Sequence, residues 1–287
     1  MRSQVVAEVV RSGFVEGRHH GAVVRVDPGG SVAWSVGDPE APVFGRSCNK
    51  PMQATAMVRA GLPLRGRLLA LASGSHSAEP FHLEAVREVL AAAGLDESAL
   101  QTPPSYPPEG EARDAYLRSG GRPEAICMDC SGKHAGMLAT CVANGWDSQT
   151  YLDPAHPLQE AIGETFVRLT GEPIAALGVD GCGAPLFATG LAGLARAFGT
   201  IVRADPDSAE GAVAAAITGW PEYVSGTTRD EARLIHAYPG AIAKSGAEAC
   251  YAVAMPDGTA FAIKIDDGGA RARSVVMSEA LRIAGYD

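Results

Sequence analysis

Over the first 45 residues, apolar and polar positions alternate with the two-residue period of strands. "AVVRVD" (22–27), the turn "PGG" and "SVAWSV" (31–36) predict a hairpin with Pro and Gly in its turn. From residue 47 to about 220 the period lengthens to that of helices. "PMQATAMVRAG" (51–61) carries Pro51 in a first turn and Gly61 at its end. "PFHLEAVREVLAAAG", "KHAGMLATCVANG", "PLQEAIGETFVRLTG" and "PLFATGLAGLARAFG" each run to a terminal Gly and read as helices; the Pro-rich "QTPPSYPPEGEA" reads as a loop. Strands return in "CYAVAMPDGTAFAIKI" (250–265), a second hairpin around "PDG", and "ARARSVVMSEALRIAG" closes the chain as a helix. Strands at both ends with helices between predict an α+β domain. One antiparallel sheet is assembled from residues about 1–46 and 230–287, and a mainly helical lobe of about 47–229 is inserted into it. The crevice between two such lobes is where a site is expected.

Composition narrows the partners. The chain has 287 residues, of which 46% are apolar and 20% charged, enough for one globular domain with a substantial core. A net charge of -9, with Asp and Glu dispersed, argues against nucleic acid or anionic lipid as a partner. No stretch is long and apolar enough for a bilayer, and "MRSQVVAEVVRSG" lacks the apolar core of an export signal, so the expected location is cytoplasmic. Six cysteines (Cys48, Cys127, Cys130, Cys141, Cys182, Cys250) are too sparse for a disulfide scaffold and read as thiols or metal ligands.

Candidate chemistry begins at "RSCNKP", where Ser47 and Lys50 are three residues apart. On a helix such positions share a face, about 5–6 Å apart at Cβ. Only a neutral amine can take the serine proton, and lowering a lysine from about 10.4 to about 8 costs roughly 3 kcal/mol. The alternative is a capping serine followed by a solvated lysine. Two further stretches, "SGSHSAE" (73–79) and "KSG" (244–246), follow in the order of the Ser-x-Asn and Lys-Thr-Gly triplets of penicillin-recognising enzymes. Ser75-His76-Ser77 is a loose version of the first. "CMDCSGKHAG" (127–136) and "VDGCGAP" (179–185) leave a metal half-site, a redox pair and packed thiols all open.

Taken together, "GRHHGAVVRVD", "RSCNKPMQA", "SHSAEPFH", "CSGKHAGML", "DPAHPLQ", "VDGCGAPLFA", "VSGTTRD", "AKSGAEA" and "IKIDDGGARA" resemble, in order, the zinc-containing asparaginase family first known from rhizobial inducible and constitutive enzymes. The resemblance spans nearly the whole chain. It implies a serine β-lactamase/penicillin-binding-protein-like fold, a homodimer, and hydrolysis of L-asparagine to aspartate and ammonia. It implies Ser47 as nucleophile with Lys50 as its base and Arg46 beside them, and a second pair of Ser75 with a C-terminal lysine, Lys244 rather than Lys264. It places zinc on Cys130, Lys133 and Cys182, with water or substrate completing the set, and Asp180 near the substrate or the metal. His76, beside Ser75, is a further candidate substrate contact. One departure stands out. The family has Glu-Ser-x-His in the first hairpin where this chain reads Glu16-Gly17-Arg18-His19, leaving Glu16 and His19 as candidate substrate or interface contacts.

The implied donor set is chemically coherent, because a divalent cation keeps both thiols deprotonated and the lysine neutral. Two readings compete with an asparaginase. A glutaminase or broader amidase would share the fold, since one methylene changes selectivity by only about 1–3 kcal/mol. A non-catalytic zinc or thiol sensor would need the cysteines but not the paired serines and lysines.

Overall fold

The computed structural model describes residues 3–108 and 110–286. Four strands lead: β1 (Gln4–Arg11), β2 (Phe14–Val26), β3 (Val32–Val36) and β4 (Pro42–Phe44). Helices α1 (Lys50–Arg59), α2 (Gly66–Ala72), α3 (Pro80–Ala92), α4 (Gly110–Arg118), α5 (Ser131–Asn144) and α6 (Pro157–Thr170) follow. After β5 (Ala176–Val179) and β6 (Pro185–Gly190) come α7 (Leu191–Val202), α8 (Ala209–Gly219), α9 (Pro221–Val224) and α10 (Asp230–Ala237). Strands β7 (Ile242–Gly246), β8 (Cys250–Ala254) and β9 (Ala260–Ile265) and helix α11 (Arg273–Ile283) complete the described chain.

The main sheet is antiparallel in the order β1-β2-β9-β8-β7, with β3 added to the C-terminal half of β2. Both chain ends therefore build one sheet, as the two predicted hairpins require. Strand β2 joins the halves, pairing Gly21 with Gln4 on one side and Ile265 on the other. A Cβ at Gly21 would lie 2.2 Å from the Lys264 carbonyl, so this crossing needs glycine. Strands β7 and β8 are buried at every position: α7 packs on β2, β8 and β9 and α11 on β1, β8 and β9, while α10, α8 and the Arg46–Asn49 turn cover β7. Covered strands need no polar alternation. On α7, Leu191, Leu194, Ala195 and Phe198 are fully buried at helical spacing. Each large apolar side chain there contributes roughly 1.5–3 kcal/mol on burial.

Two expectations are corrected. "PLFATGLAGLARAFG" is not one helix: Pro185–Gly190 forms β6, the centre of a second, three-stranded sheet ordered β4-β6-β5, and the helix begins at Leu191. All six residues of β6 are buried, and a short fully buried strand has no periodicity to separate it from a helix. The Pro-rich loop ends earlier than expected, since Gly110 onward is helical in α4, a helix without a buried residue; residue 109 lies outside the described residues.

Candidate active site

Three segments meet at the edge of the main sheet, and each carries a residue in the left-handed region that side chains rarely adopt. The described non-glycine residues with positive φ are Ser12, Arg46, Ala78, Glu248 and Ala249. All but Ser12 flank the candidate motifs, and backbone strain of this kind persists only where surrounding structure imposes it. Arg46 (φ 51°) opens the 3-10 turn Arg46–Asn49 that presents Ser47 and leads into α1 at Lys50. Its guanidinium Nε donates to Asp180 Oδ1 at 2.7 Å, tying that turn to the "VDGCGAP" loop. Ala78 (φ 54°) closes the Ser75-His76-Ser77 segment, and Glu248 and Ala249 turn the chain back from β7, which carries Lys244, Ser245 and Gly246.

Close backbone approach fixes the segments against one another. Ser75 N–H donates to the Val224 carbonyl at 2.7 Å, and a Cβ at Gly74 would meet that oxygen at 2.3 Å. A Cβ at Gly246 would lie 2.4 Å from the Gly45 carbonyl and 3.3 Å from Ser47 N and Cys48 Sγ, so β7 seats directly on the turn that bears Ser47. Cys48 Sγ–H donates to the Lys244 carbonyl at 3.1 Å across the same seam.

Within this frame Lys50 is 1% exposed, and its Nζ meets the Gly74 carbonyl and Ser75 Oγ at 2.7 Å each. Ser75 and Lys244 are also buried, whereas Ser47 is partly exposed. Of the four candidates, only Ser47 presents itself to solvent. The expected pairing of Ser75 with Lys244 is not formed: Ser75 takes Lys50, because Lys50 reaches along the first turn of α1 into the Gly74–Ser75 bend. Lys244 Nζ instead donates to the Ser245 carbonyl at 2.8 Å and lies 3.5 Å from Glu231 Oε1, both side chains fully buried. Burial pushes Lys244 below the usual lysine value; Glu231 opposes the shift and Lys50 adds to it. Burial would raise the Glu231 carboxyl, but Lys244, Asp230 and Arg229 hold it well below the usual carboxylate range.

The metal-ligand candidates also come together. Cys130, Cys182 and Ala184 pack in one buried cluster, and Lys133 Nζ lies 3.2 Å from Cys182 Sγ. The Cys130 hydrogen bond, then Lys133 and His134, hold Cys182 far below the usual thiol range, while Cys130 is pushed up. Among the described residues no group of three His, Cys, Asp or Glu side chains is placed to hold a metal. An ion here would take Lys133 as its third protein donor. The two sulfurs are donors zinc takes; the Lys133 amine, which donates to Cys182 here, would have to lose a proton to join them. His134, next along α5, is placed differently. Tyr151 OH accepts from Gln101 N–H at 3.3 Å and lies 2.7 Å from His134 Nδ1, so that ring is engaged by Tyr151.

The remaining candidate contacts, His76 for substrate and Glu16 and His19 for substrate or an interface, have partners within the chain. His76 is fully buried, accepting from Ala78 N–H at Nδ1 and bonding Ser131 Oγ through Nε2 at 2.8 Å; it ties the Ser75 segment to the start of α5. Glu16 is ion-paired with Arg11 near the exposed end of the first hairpin, and His19 with Asp267 at 2.6 Å. Asp180 and Arg46 hold each other, as described.

Two carboxylates went unread in the sequence. Asp129 faces Lys50 and His76; burial pulls its carboxyl up, but Lys50, a Cys130 hydrogen bond, His76 and Lys244 together hold it below the usual carboxylate value. Glu231 follows directly on "VSGTTRD". A compositional signal marks the site more sharply than any motif. The chain contains 24 Lys and Arg, yet only four are lysines: Lys50, Lys133, Lys244 and Lys264. Three are buried in the two clusters above, and Lys264 lines a groove of about 500 Å³ with Phe44, Arg46, Val179, Leu186 and Glu248. A cavity of about 550 Å³ elsewhere, lined by Arg59, Arg168, Arg196 and Arg203, contains none of the candidate residues.

Comparison with known proteins bears on the fold and on the family. A Bacillus glutaminase structure superposes with a TM-score of 0.50 at 10% identity, covering 92% of this chain and 90% of that one. A Mycobacterium bovis β-lactamase matches with a TM-score of 0.49 at 17% identity over 93% and 94% of the two chains. The chain thus shares the fold of the Bacillus glutaminase, a mixed α/β fold with antiparallel sheets. No curated protein sequence matches the chain. The model of the L-asparaginase II family matches residues 7–287, and the chain belongs to that family.

Proposed function

We propose that the protein is an amidohydrolase that converts L-asparagine to L-aspartate and ammonia, with Ser47 as the nucleophile. The observation that carries this reading is the division of the centre. Ser47 is partly exposed in the turn before α1, whereas Lys50, Ser75 and Lys244 are buried, with Lys50 Nζ 2.7 Å from Ser75 Oγ. Lys50, once neutral, takes the Ser47 proton, and the Ser47 oxygen attacks the side-chain amide carbon. The proton returns from Lys50 to the amide nitrogen, with Ser75 Oγ as the relay 2.7 Å away, and ammonia leaves. Water then attacks the ester, aspartate departs and Ser47 regains its proton. The oxyanion is met by Ser47 N–H, which faces Gly246, and by the charge on Lys244.

Zinc belongs to this reading as a proposal on Cys130, Lys133 and Cys182. When bound, the ion would supply a Lewis acid for an amino or carboxylate group. The Arg46–Asp180 ion pair links that cluster to the Ser47 turn. Family membership supports asparagine as substrate, and the glutaminase likeness extends to the fold alone. Ammonia release from L-asparagine and L-glutamine, compared side by side, tests the assignment. Faster release from asparagine is expected; preference for glutamine would rename the enzyme, and silence on both would reject the reading.

A further inference from the structure

We propose that Glu231 is the positioning residue of this site: its buried carboxylate holds the Lys244 ammonium and the Ser245 amide and hydroxyl, and thereby seats β7 on the turn that bears Ser47. The inference rests on the amidohydrolase reading for its kinetic consequence, though not for its structural one.

Glu231 stands in the first turn of α10, where a negative charge is favoured by the helix dipole. It is fully buried. Its Oε1 lies 3.5 Å from Lys244 Nζ, accepts from Ser245 N–H at 3.3 Å, and accepts from the Ser245 hydroxyl in a short contact. Three donors of one strand thus converge on one oxygen. The strand they belong to is the one whose Gly246 touches Gly45 and Ser47 and whose Lys244 carbonyl takes the Cys48 thiol proton. Glu231 itself reaches no candidate substrate position; it acts through β7. A fully buried ion pair is costly to break by removing one partner, because the other charge stays behind uncompensated.

The electrostatic surroundings are crowded. Lys244 faces Glu231, Lys50, Cys48, Arg229 and Asp129. Glu231 faces Lys244, Asp230, Arg229, Tyr251, Arg273 and Cys48. In this set Glu231 is the carboxylate paired with Lys244, so its removal has a signed consequence. Lys244 must lose its proton at lower pH, and with it the cationic help to the oxyanion.

Four lysines make the direct test simple. Protein labelled at lysine Cε gives four side-chain signals, and Lys244→Arg identifies the relevant one. In Glu231→Gln the Lys244 titration is expected to move down by roughly 1–3 pH units. In the same variant kcat for asparagine should fall on the order of 10²-fold with KM little changed, as expected for a nucleophile displaced by about 1 Å. The alkaline limb of kcat should move down with the lysine titration. An unmoved Lys244 signal, or wild-type kcat with an unmoved limb, overturns the proposal. If Glu231→Gln does not fold, Glu231→Asp serves, since it keeps the charge and withdraws it by one methylene. A limb displaced in the same direction supports the role, and an unmoved one rejects it. A wild type silent on both amides would remove the amidohydrolase reading and leave the lysine titration to judge Glu231. An active wild type beside an unaffected variant would remove Glu231 alone.

Discussion

A partly exposed serine three residues before a buried lysine is the smallest unit of the proposed chemistry, and its parts have unequal duties. Ser47→Ala removes the attacking atom and should cost about 10⁴-fold or more in kcat, as loss of a nucleophile does. Ser75→Ala removes only the hydroxyl relay to Lys50 and should cost about 10²–10³-fold, within the range of positioned proton transfer. Steady-state ammonia release by both variants checks the order; the reverse order would exchange their roles. Lys244 adds a pH dependence with a definite sign. Its folded-state value is lowered by burial, so the cation is lost as pH rises through a value below 10.5, and kcat should decline there. In Lys244→Arg, which keeps its charge, that decline should disappear. The segments "RSCNKP" and "KSG" could be singled out in the sequence, but not the partners their lysines take, since Lys50 Nζ sits on Gly74 and Ser75. Glu231 was not, because its importance lies in burial and in the strand it faces, and a glutamate beside an aspartate in "RDEARL" reads as a solvated helix start. Nor was the true partner of Ser75, which depends on how the bend after α2 folds back against Lys50.

Between elements, the seam of β7 with the Ser47 turn is the feature most sensitive to a single atom. Gly246→Ala would place a Cβ 2.4 Å from the Gly45 carbonyl, a backbone oxygen that cannot rotate away. Overpacking of this kind costs about 1–3 kcal/mol. Thermal melts should show that loss, and kcat should fall with it; an active, fully stable Gly246→Ala protein would mean that the seam is looser than the structure shows. Pattern reading succeeded for the two hairpins and for α5 and α6, which end at Gly145 and Gly171 in the left-handed region. It failed at β6, where burial on both faces erases periodicity, and at α4, where Pro-rich flanks conceal a helix that buries nothing.

For the whole molecule, buried histidines couple folding to pH; His134, beside the metal cluster, is lowered by burial too, and two others stand apart from that cluster. His76 and His82 are both held below the ordinary histidine value of 6.5, chiefly by burial. The folded protein keeps them neutral while the unfolded chain protonates them below about pH 6.5. Stability is therefore present above that pH and lost as pH falls, by up to about 3 kcal/mol per pH unit for the pair. Urea melts between pH 7 and pH 5 should show this slope, and a flat profile would mean that the histidines are protonated in the folded state. The metal cluster supplies another test. Zinc on Cys130 and Lys133 must displace a proton from each, so affinity should rise with pH. Lys133→Met should lose zinc, as measured by metal analysis of the purified protein, whereas retention of a full equivalent would exclude lysine as a ligand. The most direct measurement is acid quench of the protein during turnover of L-asparagine, followed by peptide mass mapping. A β-aspartyl ester is expected on Ser47 and absent from Ser47→Ala. An ester on Ser75, or turnover with no ester on either serine, would contradict the proposed chemistry.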